Sequence, residues 1–275
     1  MENIDCPICA SKNTCCYKNF KINKNKCSFN LVRCSCGFIY LNPRPDIYDI
    51  KKYYNFNYLP HASKKNLLNF IYSLLQKFTF YWKLNTIKKY VANFNNVLDV
   101  GGGKGEFCNY LNKFNIKTTN FEPNLNNFTI TLNSYKENGS KFDLIMLWHS
   151  LEHIHNMEET LNTCKELLTS DGTLIIAVPN HDAAERKFFK ESWIAYDIPR
   201  HLYHFNYSTF KLLMNKYNFT IQTYLPMYQD TIFNILVSFK SYNVFKFIYI
   251  FFYAFLNITI NKNKSSSLLY ICKKS

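Results

Sequence analysis

No stretch of this 275-residue chain stays apolar for the roughly 20 residues that a bilayer-spanning helix needs; the run at 247–256 stops between Lys246 and Asn257. No internal repeat and no low-complexity segment is present. Nothing at the start resembles an export signal, since residues 1–5 are short and acidic and lead into no apolar stretch. Acidic side chains are the minority, 19 against 33 Lys and Arg, for a formal charge of +14. Nucleic acid or an anionic membrane would attract that excess. The lysines are dispersed among abundant Asn, Ile, Phe and Tyr, as an AT-rich genome would encode them, and form no dense block. Nucleic acid is therefore discounted as a partner.

Cysteine is distributed unevenly. Of ten, Cys6, Cys9, Cys15, Cys16, Cys27, Cys34 and Cys36 lie in the first 36 residues, while Cys108, Cys164 and Cys272 are scattered. A chain of this length buries a full core without disulfides. In the reducing cytoplasm, the expected compartment, clustered cysteines serve more often as metal ligands. Cys6 and Cys9 have the C-x2-C spacing of a zinc knuckle, in which two thiolates chelate from one tight turn. Cys34-Ser35-Cys36-Gly37 is one residue shorter than a second knuckle. Cys6, Cys9, Cys34 and Cys36 are thus the candidate ligands for a structural Zn2+, with Cys15, Cys16 and Cys27 as alternatives for the fourth position.

Pro43 and Pro45 end the cysteine-rich module, 1–45. A helical linker or cap follows at 46–95, where Leu67, Phe70, Ile71, Leu74 and Leu75 recur at helical spacing. Across 96–275, short apolar runs at 97–100, 118–122, 142–148, 173–179 and 267–272 alternate with helical segments at 106–114 and 157–168. That alternation implies parallel strands joined by helical crossovers, an α/β class with helices on both faces of the sheet. Ser208 is placed to cap a further helix. An apolar insertion occupies about 230–262.

The run Asp99-Val100-Gly101-Gly102-Gly103-Lys104-Gly105 follows a buried strand and precedes a helix. Glycines let the backbone turn sharply and approach a ligand, and a helix start offers N–H groups to an anionic moiety. A nicotinamide-dinucleotide fingerprint would place Gly or Ala at 106; Glu106 stands there and weakens an oxidoreductase reading. The Asp-x-Gly-x-Gly-x-Gly run instead resembles motif I of class I methyltransferases that use S-adenosylmethionine. The resemblance implies a Rossmann-like sheet in which Gly101, Gly103 and Gly105 wall the methionine part and Asp99 orients its ammonium group. Glu122, in Phe121-Glu122-Pro123-Asn124, sits where the next strand ends and suits the ribose hydroxyls. The segment 142–154, with Phe142-Asp143-Leu144-Ile145 running into Leu151-Glu152-His153-Ile154, resembles the same superfamily and places Trp148 and His149 against cofactor and acceptor. Leu168-Thr169-Ser170-Asp171-Gly172-Thr173-Leu174 resembles its turn into the fifth strand. The cysteine module, with Asn42-Pro43-Arg44-Pro45 after it, resembles the zinc-ribbon appendage that precedes many such enzymes.

Methyl transfer needs the acceptor held in line and its proton removed. Six of the seven histidines fall between 149 and 204, and histidine titrates in the right range. The segment 193–205, which contains Asp197-Ile198-Pro199-Arg200-His201, resembles one that covers the acceptor in bacterial methyltransferases of this kind. His201 or His149 is the candidate base, with Asp197 orienting it and Arg200 binding an anionic part of the acceptor. The plainer alternative makes Asp197 and Arg200 a structural ion pair. A metal pair of His149 with His153, or His201 with His204, lacks a clear carboxylate third.

The expected activity is S-adenosylmethionine-dependent methyl transfer to a small-molecule, sugar or surface-glycan, or lipid-linked acceptor. The alternatives are a zinc-ribbon module that binds RNA or protein on a degenerate cofactor fold, and a nicotinamide-dependent oxidoreductase. The aromatic run at 247–256 near cationic residues leaves open peripheral contact with the inner face of the membrane.

Overall fold

The computed structural model describes residues 1–22, 27–54, 67–92, 94–122, 131–240 and 243–275. Pro123 and Asn124 lie outside these residues, and the side chains of 67–75, with the expected packing face, lie outside the description too.

The strands are β1 (Thr14–Ile22), β2 (Cys27–Cys34), β3 (Ile39–Leu41), β4 (Asn96–Val100), β5 (Lys117–Phe121), β6 (Phe142–Trp148), β7 (Leu168–Pro179), β8 (Tyr203–His204), β9 (Phe219–Pro226) and β10 (Ser267–Lys274). The helices are α1 (Leu67–Tyr90), α2 (Glu106–Asn112), α3 (Leu132–Glu137), α4 (Met157–Leu167), α5 (Arg186–Phe189), α6 (Tyr207–Lys216), α7 (Tyr228–Ser238) and α8 (Val244–Ile260).

The main sheet has the order β5-β4-β6-β7-β10-β9. Strands β5, β4, β6 and β7 are parallel, and β10 runs antiparallel between β7 and β9. Each parallel strand reaches the next through a helix, as parallel pairing requires. Because such a sheet is covered on both faces, its central strands read as continuous apolar runs. Side chains nevertheless alternate between two cores. Val97, Leu144, Met146, Ile175, Ala177, Leu269 and Ile271 pack under α1 and α2 with Leu84, Ile87, Phe107 and Leu111. Leu98, Val100, Ile145, Leu147, Leu174, Ile176 and Val178 face the other side, with Leu161 and Cys164 of α4 and Phe210 and Leu213 of α6.

The expected turn at 168–174 is absorbed into β7. Leu168 pairs with Phe142, the register shifts, and pairing resumes at Leu144 with Thr173. Ser208 does not cap α6. Asn206 does, accepting from the Thr209 N–H while its own N–H donates to the Thr209 hydroxyl, at 2.9 and 3.1 Å. This reciprocal pair satisfies two N–H groups at the helix start, so the helix begins earlier and Ser208 falls in its first turn.

A second sheet, β1-β2-β3-β8, is antiparallel throughout. Its fourth strand comes from the segment that follows Asp197, so the cysteine-rich end is stitched directly onto the 193–205 segment. Leu31, Phe38, Tyr40 and Leu41 join the same core as α4 and α6. The buried Arg44 guanidinium donates to Tyr203 Oη at 2.7 Å, to Glu2 Oε1 at 2.6 Å and to the His155 carbonyl at 3.2 Å. Replacing it strands buried acceptors. Arg44→Ala is expected to lower the unfolding free energy by about 2–3 kcal/mol in denaturant titrations; a loss below about 0.5 kcal/mol, the level of an ordinary surface change, would contradict this role.

Candidate functional site

Strand order reverses between β4 and β6, and the carboxyl ends of β4, β5, β6 and β7 deliver the glycine loop, Glu122, His149 and Asn180 to one edge. Open parallel sheets bind ligands at such a switch point. Gly101 has φ +78°, and a Cβ on it would lie 2.5 Å from Ser150 Cβ. Gly102, which the sequence pattern treats as a spacer, is as tightly enclosed: its Cβ would lie 2.6 Å from Asp99 Oδ2. The loop is laced to the neighbouring strand. Gly101 N–H donates to the Phe121 carbonyl at 2.7 Å, Gly103 N–H donates to Glu122 Oε2 at 3.2 Å, and Asn120 donates to the Gly103 carbonyl at 2.9 Å. Gly103 and Gly105 also have positive φ, and Gly105 opens α2.

Asp99 is buried beneath this loop, and its Oδ1 has no hydrogen-bond partner among the described residues. Burial pushes its carboxyl up to about 6, with the Lys83 charge opposing. Lys83 comes from α1, a contribution that helical periodicity alone does not reveal. Burial lowers its ammonium to about 8 against the pull of Asp99 and Asp230, and it lies 4.2 Å from the centre of the Trp148 ring. Trp148 itself packs edge-on against Trp82 and Phe107 in the core beneath α1.

Past β6, His149 adopts φ +52° and turns to Asp230 of α7, with Nε2 2.8 Å from Oδ2 and Nδ1 3.5 Å from Glu152 Oε1. Burial opposes its charge, but Asp230 and then Glu152 outweigh burial and push it up to about 10. An imidazole that already carries a proton does not accept one at neutral pH, so this geometry weighs against His149 as the base.

Arg200 donates to Asp197 Oδ1 through Nε at 3.0 Å and through Nη2, which matches the ion-pair alternative more closely than an anion-binding role. His201 Nδ1 lies 2.9 Å from the Ala195 carbonyl, and its Nε2 lies 3.7 Å from Asp197 Oδ2. Neither of the two weakly supported histidine pairs belongs to a group of three metal-ligating side chains among the described residues. His149 is drawn to Asp230, and His204 packs against His181. His153 and His201 come together instead, with their ring centres 4.6 Å apart.

Three further histidines serve the framework. His155 Nε2 meets the Pro45 carbonyl at 3.0 Å, and His181 Nε2 meets Tyr17 Oη at 3.1 Å. Burial, then His181, holds His204 well below its usual value. Burial, helped by Arg186, Arg33 and Lys18, lowers His181 to about 3.

At the other end of the chain, the candidate metal ligands converge. Cys6 Sγ lies 3.6 Å from Cys36 Sγ, Cys9 Sγ lies 3.4 Å from Cys34 Sγ, and all four sulfurs lie within 4.8 Å of one another. Tetrahedral zinc with bonds near 2.3 Å spaces its sulfurs about 3.8 Å apart. The shortened Cys34–Cys36 turn closes because Gly37, at φ +90°, returns its N–H to the Cys34 carbonyl at 2.9 Å. Cys15 and Cys16 are exposed, and the Cys27 side chain lies outside the described ones. Burial raises the Cys6 thiol. At Cys34 burial is outweighed by the Cys36 N–H and the Cys9 thiol, which bring it to about 7.

Helices α7 and α8 present an apolar outer surface. Phe245 is 86%, Phe252 67% and Leu256 62% exposed, and Phe233 and Leu236 of α7 are more than half exposed. No helix among the described residues is long and apolar enough to cross a membrane. A cavity of about 270 Å3 on α1 is lined by Phe78, Tyr81, Trp82, Asn85, Thr86 and Lys89, with neither loop residues nor histidines in its lining.

The buried neutral His181 makes an acid-sensitive element. Below pH 6.5 the unfolded chain binds a proton there that the folded chain refuses until about pH 3. Its stabilisation is therefore full above 6.5 and is lost as pH falls, by up to about 1.4 kcal/mol per pH unit. His181→Gln is expected to flatten the fall of unfolding free energy between about pH 4 and 6.5 by that slope. An unchanged slope would remove His181 from the account.

Among curated proteins, none matches the chain. Three similar solved structures are all described as methyltransferases dependent on S-adenosylmethionine. One from Archaeoglobus fulgidus is 18% identical, covers 74% of this chain and 100% of its own, and has a TM-score of 0.47. One from Clostridium acetobutylicum is 10% identical, covers 76% and 100%, and has a TM-score of 0.44. A TehB-like protein from Corynebacterium glutamicum is 14% identical, covers 66% and 80%, and has a TM-score of 0.39. The model of the family described as methyltransferase domain matches residues 67–224, from the first residue of α1 into β9. That match spans more than half of the chain, and the protein belongs to the methyltransferase-domain family.

Proposed function

We propose that the protein transfers a methyl group from S-adenosylmethionine to a lipid-linked acceptor, a small glycan intermediate on an apolar carrier being the type that fits. The cofactor half rests on Asp99. A buried carboxylate with an unpartnered oxygen beneath a glycine loop suits the ammonium of the methionine part, and Glu122 at the end of the adjacent strand suits the ribose hydroxyls. Gly101, Gly103 and Gly105 supply the backbone wall, and Trp148 supports it from the core. When bound, the sulfonium supplies an already activated methyl carbon. The chain's own part is to orient the acceptor, exclude water and take its proton. His201 is the side chain placed for the proton, with Nε2 presented, Nδ1 tied to the Ala195 carbonyl and Asp197 beside it.

The observation that carries the lipid-linked reading is the position of Asp230. It lies on α7 and holds His149, while the same helix exposes Tyr228, Ile232, Phe233 and Leu236 beside the apolar face of α8. An acceptor tail lying on that surface would place its head near the histidines. Contact would be peripheral, at the inner face of the membrane in the cytoplasm, with the positive chain attracted to anionic lipid.

Cys6, Cys9, Cys34 and Cys36 in the 1–45 module are proposed to hold a structural Zn2+. Four thiolates in tetrahedral reach match its preference, and they tie the start of the chain to the turn before β3.

S-adenosylmethionine at 100 times its Kd is expected to stabilise the protein by about 2.7 kcal/mol, a rise in Tm of several degrees. Asp99→Ala and Glu122→Ala are each expected to shrink it. No shift with either the cofactor or its demethylated product sinks the methyltransferase reading. Vesicles containing phosphatidylglycerol are expected to pellet the wild type and to lose about tenfold of that binding with Phe245→Asp/Phe252→Asp. Equal pelleting of both proteins removes the lipid-linked arm alone. Cobalt added to metal-free protein is expected to give thiolate-to-metal charge transfer, and chelation of zinc is expected to lower Tm; neither effect would remain if the cysteines bind no metal.

A further inference from the structure

The turn after β6 and the segment after Trp193 bring together Glu152, His153 and His201, with one donor atom of each within 4.8 Å of the other two. Their protons can be placed. A carbonyl oxygen only accepts, so His153 Nδ1, 3.0 Å from the Arg200 carbonyl, and His201 Nδ1, 2.9 Å from the Ala195 carbonyl, carry the hydrogens. The Tyr54 hydroxyl, 3.0 Å from the same His153 nitrogen, shares that donor. That leaves Nε2 of each ring as the nitrogen able to bind a cation, and Nε2 of His201 also stands 3.7 Å from Asp197 Oδ2.

Glu152 completes the set. It is 0% exposed, and neither carboxylate oxygen has a hydrogen-bond partner among the described residues. Its charged neighbour is His149, whose Nδ1 stands at ion-pair distance, 3.5 Å from Oε1, while the other ring nitrogen, Nε2, is held by Asp230. A buried carboxylate without donors is costly. Beside it stand the imidazoles of His153 and His201.

We infer that Glu152, His153 and His201 bind a divalent transition-metal cation through two imidazole nitrogens and one carboxylate, with positions left for water and an oxygen of the acceptor. Nitrogen and oxygen ligands suit Zn2+, Mn2+ or Fe2+, whereas Ca2+ and Mg2+ prefer all-oxygen shells. Metal-ligating histidines commonly donate their second N–H to a backbone carbonyl, as both do here, which fixes ring and tautomer. Ligands about 2.1 Å from a metal stand about 3 to 3.4 Å apart, within the span of these atoms. The site is separate in chemistry from the four cysteines, which are soft thiolates.

Ser150, two residues before Glu152, is the residue against which Gly101 packs, so the cation would border the cofactor loop. There it would polarise an acceptor hydroxyl and lower its pKa, so that the proton passes to metal-bound hydroxide or to water and not to His201 Nε2. That use rests on the proposed methyl transfer, whereas binding of the cation does not.

The test is titration of metal-free, full-length protein with Co2+. One class of sites shows thiolate charge transfer and reports the cysteines. A further equivalent, with d–d absorption and no thiolate band, is expected in the wild type. Glu152→Gln and His201→Ala are each expected to weaken it more than about 100-fold while keeping the thiolate equivalent and the thermal shift with S-adenosylmethionine, which report an intact fold. A wild-type titration without a non-thiolate equivalent overturns the site, and so does its persistence in folded variants. The wild-type result stands even if a variant fails to fold. If the non-thiolate equivalent is present but no cofactor shift is seen, the metal site holds and the methyltransferase reading falls.

Discussion

The carboxyl edge of the main sheet depends on one close approach. Gly101 lies against Ser150 so tightly that no Cβ fits between them, which joins the loop after β4 to the segment after β6 across the switch point of the sheet. Ser150 Oγ donates to the Val100 carbonyl at 2.7 Å and secures the same junction. With these ends clamped together, Asp99 is enclosed below the loop, and Glu152 and His153 are positioned one turn beyond it. A side chain at 101 would force apart the glycine loop and the turn that carries Glu152 and His153.

Buried charge is organised around that junction. Lys83 and Asp230 enter from α1 and α7, and each influences a group that the β-strands deliver: Lys83 opposes the neutralisation of Asp99, and Asp230 keeps His149 protonated. The result separates the histidines by role. His149 stands between two carboxylates, His155 and His181 are framework groups, and His153 and His201 each set Nδ1 against a backbone carbonyl. Similar residues close together in sequence thus acquire different chemistry from their neighbours in space.

Strands β4, β6, β7 and β10 were legible in the sequence because burial on both faces makes them continuous apolar runs. The loop was legible because its glycines adopt backbone conformations that other residues resist, and the cysteine turns were legible from spacing. What escaped was whatever depends on distant partners. Strand β8 is only two residues long and pairs with a strand more than 160 positions earlier. Strand β9 is half exposed at the sheet edge, without a strong pattern. The cap at Asn206 competes with Ser208 two positions on, and only the reciprocal bond with Thr209 decides between them. Glu152 lies within a recognised motif, but its role as a third ligand follows from His201, which another part of the chain supplies. Asp230 sits in a stretch read only as an apolar insertion.

The central claim is that the junction of β4 and β6 forms the cofactor site, and calorimetric titration with S-adenosylmethionine tests it most directly through Gly101→Ala. One-to-one binding to the wild type and at least tenfold weaker binding to the variant, a loss of about 1.4 kcal/mol or more, are expected, with secondary structure and the thiolate–cobalt band retained. Equal affinity in a folded Gly101→Ala protein, or no heat of binding to the wild type, would contradict it.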